Sequence, residues 1–188
     1  MQIPARHHLR LIVFVVATFT TTSFCAAEPP QPRPLVAPQY QALKDLEHFI
    51  GEWQGEYDPP GSVPKGICHV SAKWAGYKSY VHFKVTFIPG GTDIELNPMT
   101  MIIGFNGETK TPYAWDFGAL SQATCQPKIS ADKIVMNNHG VNVRGDERSR
   151  TVTYHLQSPN KMLVTNTQIK SGEDSKPDEP ELTLTRVR

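Results

Sequence analysis

The sequence predicts an all-β fold, an antiparallel up-and-down closed barrel of about ten strands with a short N-terminal helix. Three observations lead to this prediction. After Ile50, apolar and polar residues alternate with a period of two, which is typical of strands with one buried face. Turn residues separate these segments, and no stretch between them has the helical period that a parallel crossover requires. A sheet of this many strands closes into a barrel or splits into a sandwich, and the short links between segments favour the barrel.

Length and composition restrict the classes of protein to which the chain can belong. It has 188 residues, with 19 lysines and arginines against 18 acidic residues, and 39% of its residues are hydrophobic. A chain of this length buries one core without needing disulfides or metals. The formal net charge of +1 excludes the broad basic surface of a general nucleic-acid-binding protein. The hydrophobic fraction excludes a disordered chain.

Residues 1–27 are predicted to be a secretory signal peptide. Arg6 and Arg10 precede the apolar run Leu11–Phe19, and the small residues that end at Ala27 form a cleavage site. The apolar run is about half of the roughly 20 residues that a membrane-spanning helix needs. We therefore expect an exported protein, periplasmic or secreted, with no stable membrane span and no nucleic-acid partner.

A proline-rich leader and a short helix come next. Residues 28–38 contain five prolines in eleven residues, which predicts an extended, solvated leader. The barrel domain is predicted to cover residues 39–188. It begins with a helix over residues 39–49, where Leu43 and Leu46 recur at helical spacing.

Two of the turns between the predicted strands have clear turn chemistry. Asn106-Gly107 is a strong hairpin signal because both residues tolerate positive φ. Ser158-Pro159-Asn160 places a proline where a tight turn needs its fixed φ. Residues 171–180 are charged and are predicted to form an exposed loop. The predicted strands are 49–57, 66–74, 80–87, 100–105, 111–117, 120–125, 134–139, 150–157, 161–170 and 181–188.

The segment 46–56 (LEHFIGEWQGE) places a Gly-x-Trp-x-Gly pattern directly after the predicted helix. It resembles the opening of lipocalin-like (calycin) barrels, and is especially similar to bacterial exported domains of unknown function and to the related nitrobindin-like barrels. The segments 103–105, 113–117 and 182–186 also resemble those exported domains. The resemblance covers most of residues 40–188 and implies a calycin-type barrel.

Gly51 and Gly55 flank Trp53 on one face of the first predicted strand. Glycine weakens a strand unless another group must approach closely, so we expect the indole to lie flat in the space that the two glycines leave. In calycins a basic residue near the last strand packs over this tryptophan, and the resemblance implies that Arg186 does so here. A solvent-facing Arg186 is the alternative. These residues are predicted to be structural.

Aromatic side chains at alternate strand positions are the predicted lining of an enclosed interior. Such a lining suits a small apolar or amphipathic ligand, and the alternative is that the side chains fill the lumen by packing against one another. The first hypothesis is therefore an exported ligand-binding protein without covalent chemistry, and the second is a structural or interaction barrel with a filled lumen. The predicted lining residues are Trp53, Trp74, Phe83, Tyr113, Trp115, Phe117 and Tyr154.

Enzyme activity, of isomerase or hydrolase type, remains an open alternative. It requires a titratable group inside the lumen, and His82 and Asp116 are the candidates. The sequence has no Gly-x-Ser-x-Gly elbow and no His-Glu-x-x-His motif, and its histidines lack metal-ligand spacing, so no catalytic or metal-binding residue is predicted.

Haem binding is a further alternative that the resemblance implies, because nitrobindin-like barrels hold haem through one histidine on a late strand. His155 is the nearest positional match. Its neighbour Tyr154 is expected to face inward, so His155 is expected to point outward. We therefore predict no cofactor.

The mature chain keeps Cys68 and Cys125, which an oxidising compartment would allow to form a disulfide. The alternative is two separate buried thiols that pack as small apolar side chains. Pairing depends on the distance between the two Cα atoms, so the sequence leaves both possibilities open. Lipid modification of Cys25 is disfavoured because the bulky Phe24 precedes it.

Overall fold

The structure, a computed structural model, describes residues 37–119 and 121–187. The predicted signal peptide and residues 28–36 of the predicted leader lie outside the described residues. No helix in the described ranges is both long and apolar enough to cross a membrane.

The domain begins with a short helix and continues in strands. Helix α1 (Tyr40–Leu43) leads directly into a 3-10 helix (Lys44–Phe49). The strands are β1 (Gly51–Tyr57), β2 (Gly66–Ala75), β3 (Tyr80–Pro89), β4 (Leu96–Asn106), β5 (Thr111–Gly118), β6 (Ser121–Cys125), β7 (Lys128–Ile129), β8 (Lys133–Asn142), β9 (Glu147–Ser158), β10 (Lys161–Ser171), β11 (Asp174–Ser175) and β12 (Leu182–Arg186).

Ten of the described strands form a closed ring of antiparallel pairs. The order around the ring is β1-β2-β3-β4-β5-β6-β8-β9-β10-β12. Strand β12 pairs with both β10 and β1, and this double pairing closes the barrel. The short β7 pairs with β8 next to β6, and β11 pairs with the end of β10. The predicted closed antiparallel barrel with a short N-terminal helix is confirmed.

The hairpin predicted at Asn106-Gly107 is present, but its turn is longer than two residues. Strand β4 ends at Asn106 and β5 begins at Thr111. The Asn106 side-chain oxygen accepts hydrogen bonds from the backbone N–H groups of Glu108 and Thr109, and Lys110 adopts the left-handed conformation with φ of 57°. Asparagine therefore acts here through its side chain, as in an Asx turn.

The helix closes one end of the barrel. We call this the helix-capped end; β1 begins there and runs to Tyr57 at the opposite end, which we call the loop end. Leu43, Leu46 and Phe49 are fully buried in the same core cluster as the inward side chains of the strands. Because the helix fills the lumen at its own end with apolar side chains, any internal space must lie toward the loop end.

Trp53 and Arg186 connect the helix to the strands that close the barrel. The buried Trp53 indole N–H donates to the Phe49 carbonyl at 2.9 Å, and the Arg186 guanidinium carbon lies 4.1 Å from the centre of the indole ring. Arg186 also donates to the carbonyls of His48 (2.7 Å) and Ile50. Arg186 thus lies over Trp53, as the resemblance implies, and ties β12 to the end of the 3-10 helix.

Glycine is required at positions 51 and 55 for reasons other than the expected one, which was to make room for the Trp53 indole. A Cβ atom at Gly55 would lie 2.0 Å from the backbone oxygen of Thr183 on β12, which no side chain can tolerate. Gly51 has a φ of 142°, a conformation that L-residues rarely adopt. Gly51 therefore allows the chain to turn into β1, and Gly55 allows β1 and β12 to approach each other. Neither glycine is needed to make room for the indole.

Gly55→Ala is expected to destabilise the barrel at its closure. The new methyl group must displace the Thr183 carbonyl, and overpacking of this kind costs about 1–3 kcal/mol or more. The matched control is Gly107→Ala, because a Cβ there has no described atom within 4 Å; its effect should stay within about 0.5 kcal/mol. Chemical denaturation measures both, and equal midpoints for the two variants would contradict the close approach.

Candidate functional site

The loop-end half of the lumen contains a cavity of about 160 Å³. Its wall is mainly apolar, and the residues that form it come from β1 to β4, from β9, β10 and β12, and from the loop before β12. Strand alternation places most of these residues on the inward face, so most of their side chains converge on the same interior. The lining residues are Tyr57, Cys68, Val70, Val85, Phe87, Met99, Arg150, Val152, Tyr154, Val164, Thr165, Asn166, Glu179, Pro180 and Leu182.

Tyr154 separates the cavity from the filled half of the barrel. Its ring packs against the fully buried Phe83 with 5.8 Å between ring centres. Burial raises the pKa of the Tyr154 hydroxyl strongly, so the group stays protonated at neutral pH. The tyrosine therefore presents an aromatic ring and a neutral hydroxyl to the interior.

A buried polar cluster joins the apolar cavity to a smaller polar void of about 60 Å³. The Arg150 guanidinium donates to Asp116 Oδ2 at 2.7 Å, and the Asn138 amide nitrogen donates to the same oxygen at 3.1 Å. Asp116 and Asn138 are only 4% and 2% exposed. Arg150 lines both spaces, so it marks the boundary between the apolar and the polar part of the site.

A second polar cluster lies at the loop end. The Glu179 carboxylate accepts from the Asn166 amide nitrogen at 2.8 Å and from the Tyr57 hydroxyl at 3.3 Å. The Glu179 N–H also donates to the Asn166 carbonyl, which holds the loop against β10. Burial raises the pKa of Tyr57 strongly, and the nearby Glu179 charge adds to this effect. Tyr57 therefore acts as a hydrogen-bond donor at neutral pH.

Of the residues predicted to line a ligand, the structure places only Tyr154 on the cavity wall. Phe83 lies beneath Tyr154 in the filled core. Trp53 and Trp74 lie at the helix-capped end, where Trp74 packs against Tyr40 of α1 with 5.5 Å between ring centres. These two tryptophans belong to the apolar packing that fills the helix-capped end and do not line the cavity.

The predicted inward orientation of Tyr113, Trp115 and Phe117 is wrong. The inward positions of β5 belong to Ala114 and Asp116, which are buried and pair with inward residues of β4. The three aromatic residues therefore point outward; Phe117 is 44% exposed, and the rings of Tyr113 and Trp115 pack against each other. Alternation predicts strand β5 correctly, but the rule that aromatic side chains face the core assigns its two faces the wrong way round.

Of the three titratable residues considered for catalysis or haem binding, one points into the lumen and two lie on the outer face of the barrel. Asp116 points into the lumen. His82 lies between the buried Val81 and Phe83 on β3, so strand alternation places it on the outer face. His155 also lies outside, with its Nε2 atom 3.9 Å from Asp132, so it does not present a ligand for haem to the interior.

Four polar residues of the site are absent from the residues that the sequence predicts to line it. Arg150 shares strand parity with Val152 and Tyr154, and this was the signal that could have placed it inside. Asn138 shares the parity of the buried residues of β8 in the same way. Asn166 shares the parity of Met162 and Val164 on β10, which is a signal of the same kind, whereas Glu179 lies in a loop and carries none.

Cys68 and Cys125 are both buried and unpaired, so the possible disulfide is not formed. Cys68 lies on β2 and Cys125 on β6, which are not neighbours in the ring. Burial raises the pKa of each thiol to about 11, and the nearby Asp116 charge contributes at Cys125. Within the described ranges, no group of three or more His, Cys, Asp or Glu side chains could hold a metal ion.

Comparison with known proteins identifies similar barrels. No family model matches the sequence. No curated protein matches it either. Among solved structures, the chain is similar to the crystal structure of Rv2717c from M. tuberculosis, with a TM-score of 0.58, 15% identity and coverage of 81% of this chain and 99% of that one. A redesigned β-barrel is more distant, with a TM-score of 0.38, 12% identity and coverage of 77% and 96%. At 15% identity, the first likeness shows a shared fold alone.

The two thiols are expected to react slowly in the folded protein. A thiol with a pKa of about 11 rather than 9.0 has roughly 100-fold less thiolate at pH 8, and burial restricts access further. Alkylation followed by peptide mapping, without reductant, should modify Cys68 and Cys125 fully after denaturation and only slowly before it. A disulfide-linked peptide pair would contradict the structure.

The free energy of unfolding should also depend on pH. Because the pKa of each thiol is higher in the folded than in the unfolded protein, stability should fall as the pH rises from 9 toward 11.

Proposed function

We propose that this protein binds a small apolar or amphipathic molecule in the loop-end cavity of its barrel. The observation that carries the proposal is the combination of an apolar cavity of about 160 Å³ with a polar cluster at one side. Binding sites for small molecules generally combine a mostly apolar wall with a few well-placed polar groups. A barrel that served only as a structural module has no need for such a cavity.

The cavity volume sets the size of the apolar group that the barrel can bury. A buried apolar cavity of roughly 150 Å³ accepts a molecule the size of benzene. Removal of the ligand's apolar surface from water supplies the affinity, at about 25 cal/mol per Å² before the costs of association. We therefore expect a single ring or a short branched chain in the cavity, with its polar end at the Asp116–Arg150 pair.

The proposed class of protein is an exported lipocalin-like (calycin) barrel. The short helix before β1, the Gly-x-Trp-x-Gly pattern and the position of Arg186 over Trp53 support the calycin assignment. The basic, apolar and small-residue pattern of residues 1–27 supports export. No covalent step is required for the proposed function.

Catalysis is the second candidate, and the buried Asp116 carboxylate favours it. One of its oxygens is occupied by Arg150 and Asn138, and the other lies at the polar void. That arrangement suits the orientation of a bound group, and a catalytic role would in addition need a substrate placed at the free oxygen, whereas binding needs only the cavity and its polar cluster. Ligand binding is therefore the function that the geometry supports best.

Toluene is expected to bind saturably and to raise the melting temperature of the protein. A ligand that binds only the folded state stabilises it in proportion to its occupancy. Val152→Trp fills the cavity and should abolish binding, whereas Thr153→Trp, on the opposite strand face, should retain it. Binding is measured by heteronuclear NMR titration, with thermal unfolding as a check that both variants fold.

The proposal fails if neither toluene nor other single-ring compounds cause saturable shifts at the cavity residues of the folded protein. It also fails if Val152→Trp, once folded, binds toluene as tightly as the unsubstituted chain.

A further inference from the structure

Three buried oxygen atoms at the polar void have no hydrogen-bond partner among the residues that the structure describes. They are Asp116 Oδ1, Asn138 Oδ1 and Asn166 Oδ1, and all three residues line the same void. The orientations of the two amides are fixed, because the nitrogen of Asn138 donates to Asp116 and that of Asn166 donates to Glu179. All three free atoms are therefore acceptors, and each requires a donor.

Of the two carboxylates beside these oxygens, one forms an ion pair and the other does not. Asp116 is neutralised by the Arg150 guanidinium at 2.7 Å. The Glu179 carboxylate accepts hydrogen bonds from the neutral Tyr57 hydroxyl and Asn166 amide, and no cation in the described ranges forms an ion pair with it. Glu179 thus contributes one negative charge at the void that no ion pair neutralises.

Two further cations line the outer part of the void. Arg148 and Lys170 both have exposed side chains and reach solvent at the rim. Interactions of exposed charges are screened by water and salt, whereas those inside a cavity are screened much less. Glu179 is half-buried, so its interaction with a charged group in the void is screened less than the interactions of the exposed Arg148 and Lys170.

We propose that the site selects ligands in which a primary ammonium group is attached to a small apolar body. An ammonium group has three donors and no acceptor, which matches three free acceptor oxygens beside an unbalanced carboxylate. A carboxylate head would bring acceptors against acceptors. Arg150, Asn166 and Glu179 line both spaces, so a ligand with its apolar body in the cavity places its head at these oxygens. This inference rests on the proposed function, since it names the class of ligand for the same cavity.

A series of ligands with one ring and different heads tests the inference. Toluene, benzyl alcohol, benzylamine and benzoate are titrated into the protein at neutral pH and physiological salt, with NMR shifts of the cavity residues as the readout. Benzylamine should bind at least about tenfold more tightly than toluene and benzyl alcohol, a difference of about 1.4 kcal/mol. Benzoate should bind most weakly.

A pair of matched variants assigns the preference to the site. Glu179→Gln keeps the shape of the side chain and removes its charge, so it should reduce the advantage of benzylamine over toluene, measured on the same variant, to threefold or less. Glu181→Gln, an exposed position two residues away, should leave the advantage intact. Asn138→Ala removes one of the free oxygens and should also weaken benzylamine more than toluene.

The outcomes separate the inference from the proposed function. If toluene binds and benzylamine binds no more tightly, ordered water satisfies the oxygens and the amine preference is overturned. If benzoate binds most tightly, the cations determine the head group and the preference is again overturned. If no member of the series binds, the proposed function itself fails.

Discussion

The approach of β12 to β1 is the constraint on which the rest of the molecule depends. The two strands lie so close at Gly55 that any side chain there would collide with the Thr183 carbonyl, and Arg186 at the end of β12 donates to carbonyls at the end of the 3-10 helix. An antiparallel sheet without this closure would leave two long unpaired edges, which favour association with other chains. Closure removes both edges and also directs the inward faces of all ten strands toward one lumen.

The lumen is divided because the helix lies at one end only. Helix side chains, Trp53 and Trp74 fill the helix-capped end, while the loop end has no helix and retains a cavity. Polar residues gather at this cavity, where Asp116 binds Arg150 and Asn138 and where Glu179 binds Tyr57. Burying a charge costs free energy unless it is paired or hydrogen-bonded, and Asp116 and Glu179 each have such partners here. The proposed ligand site uses this combination of an apolar wall and a few fixed polar groups.

Most of the fold could be predicted from the sequence, and most of the site could not. The positions of the strands follow from alternation, and the closed barrel follows from the number of strands and their short links. The site depends on which of two alternating faces points inward, and in β5 the rule that aromatic residues face the core gives the wrong answer. There Ala114 and Asp116 face inward, and Trp115 and Phe117 face outward, because Asp116 finds an ion-pair partner on β9. That partner is 34 residues away in sequence, so no local pattern reveals it.

By itself, the sequence determined the all-β class, the short helix, the strand positions and the importance of the segment from Gly51 to Gly55. The first three properties arise from interactions between residues that are close along the chain, through alternation, helical spacing and turn chemistry, whereas the glycine segment was marked by its Gly-x-Trp-x-Gly pattern. Only the tertiary structure decided that Cys68 and Cys125 stay apart, that Thr183 is the group that requires Gly55, and that Glu179 reaches Tyr57. Each of these depends on a distance between strands far apart in sequence, and strand register together with ring closure sets that distance.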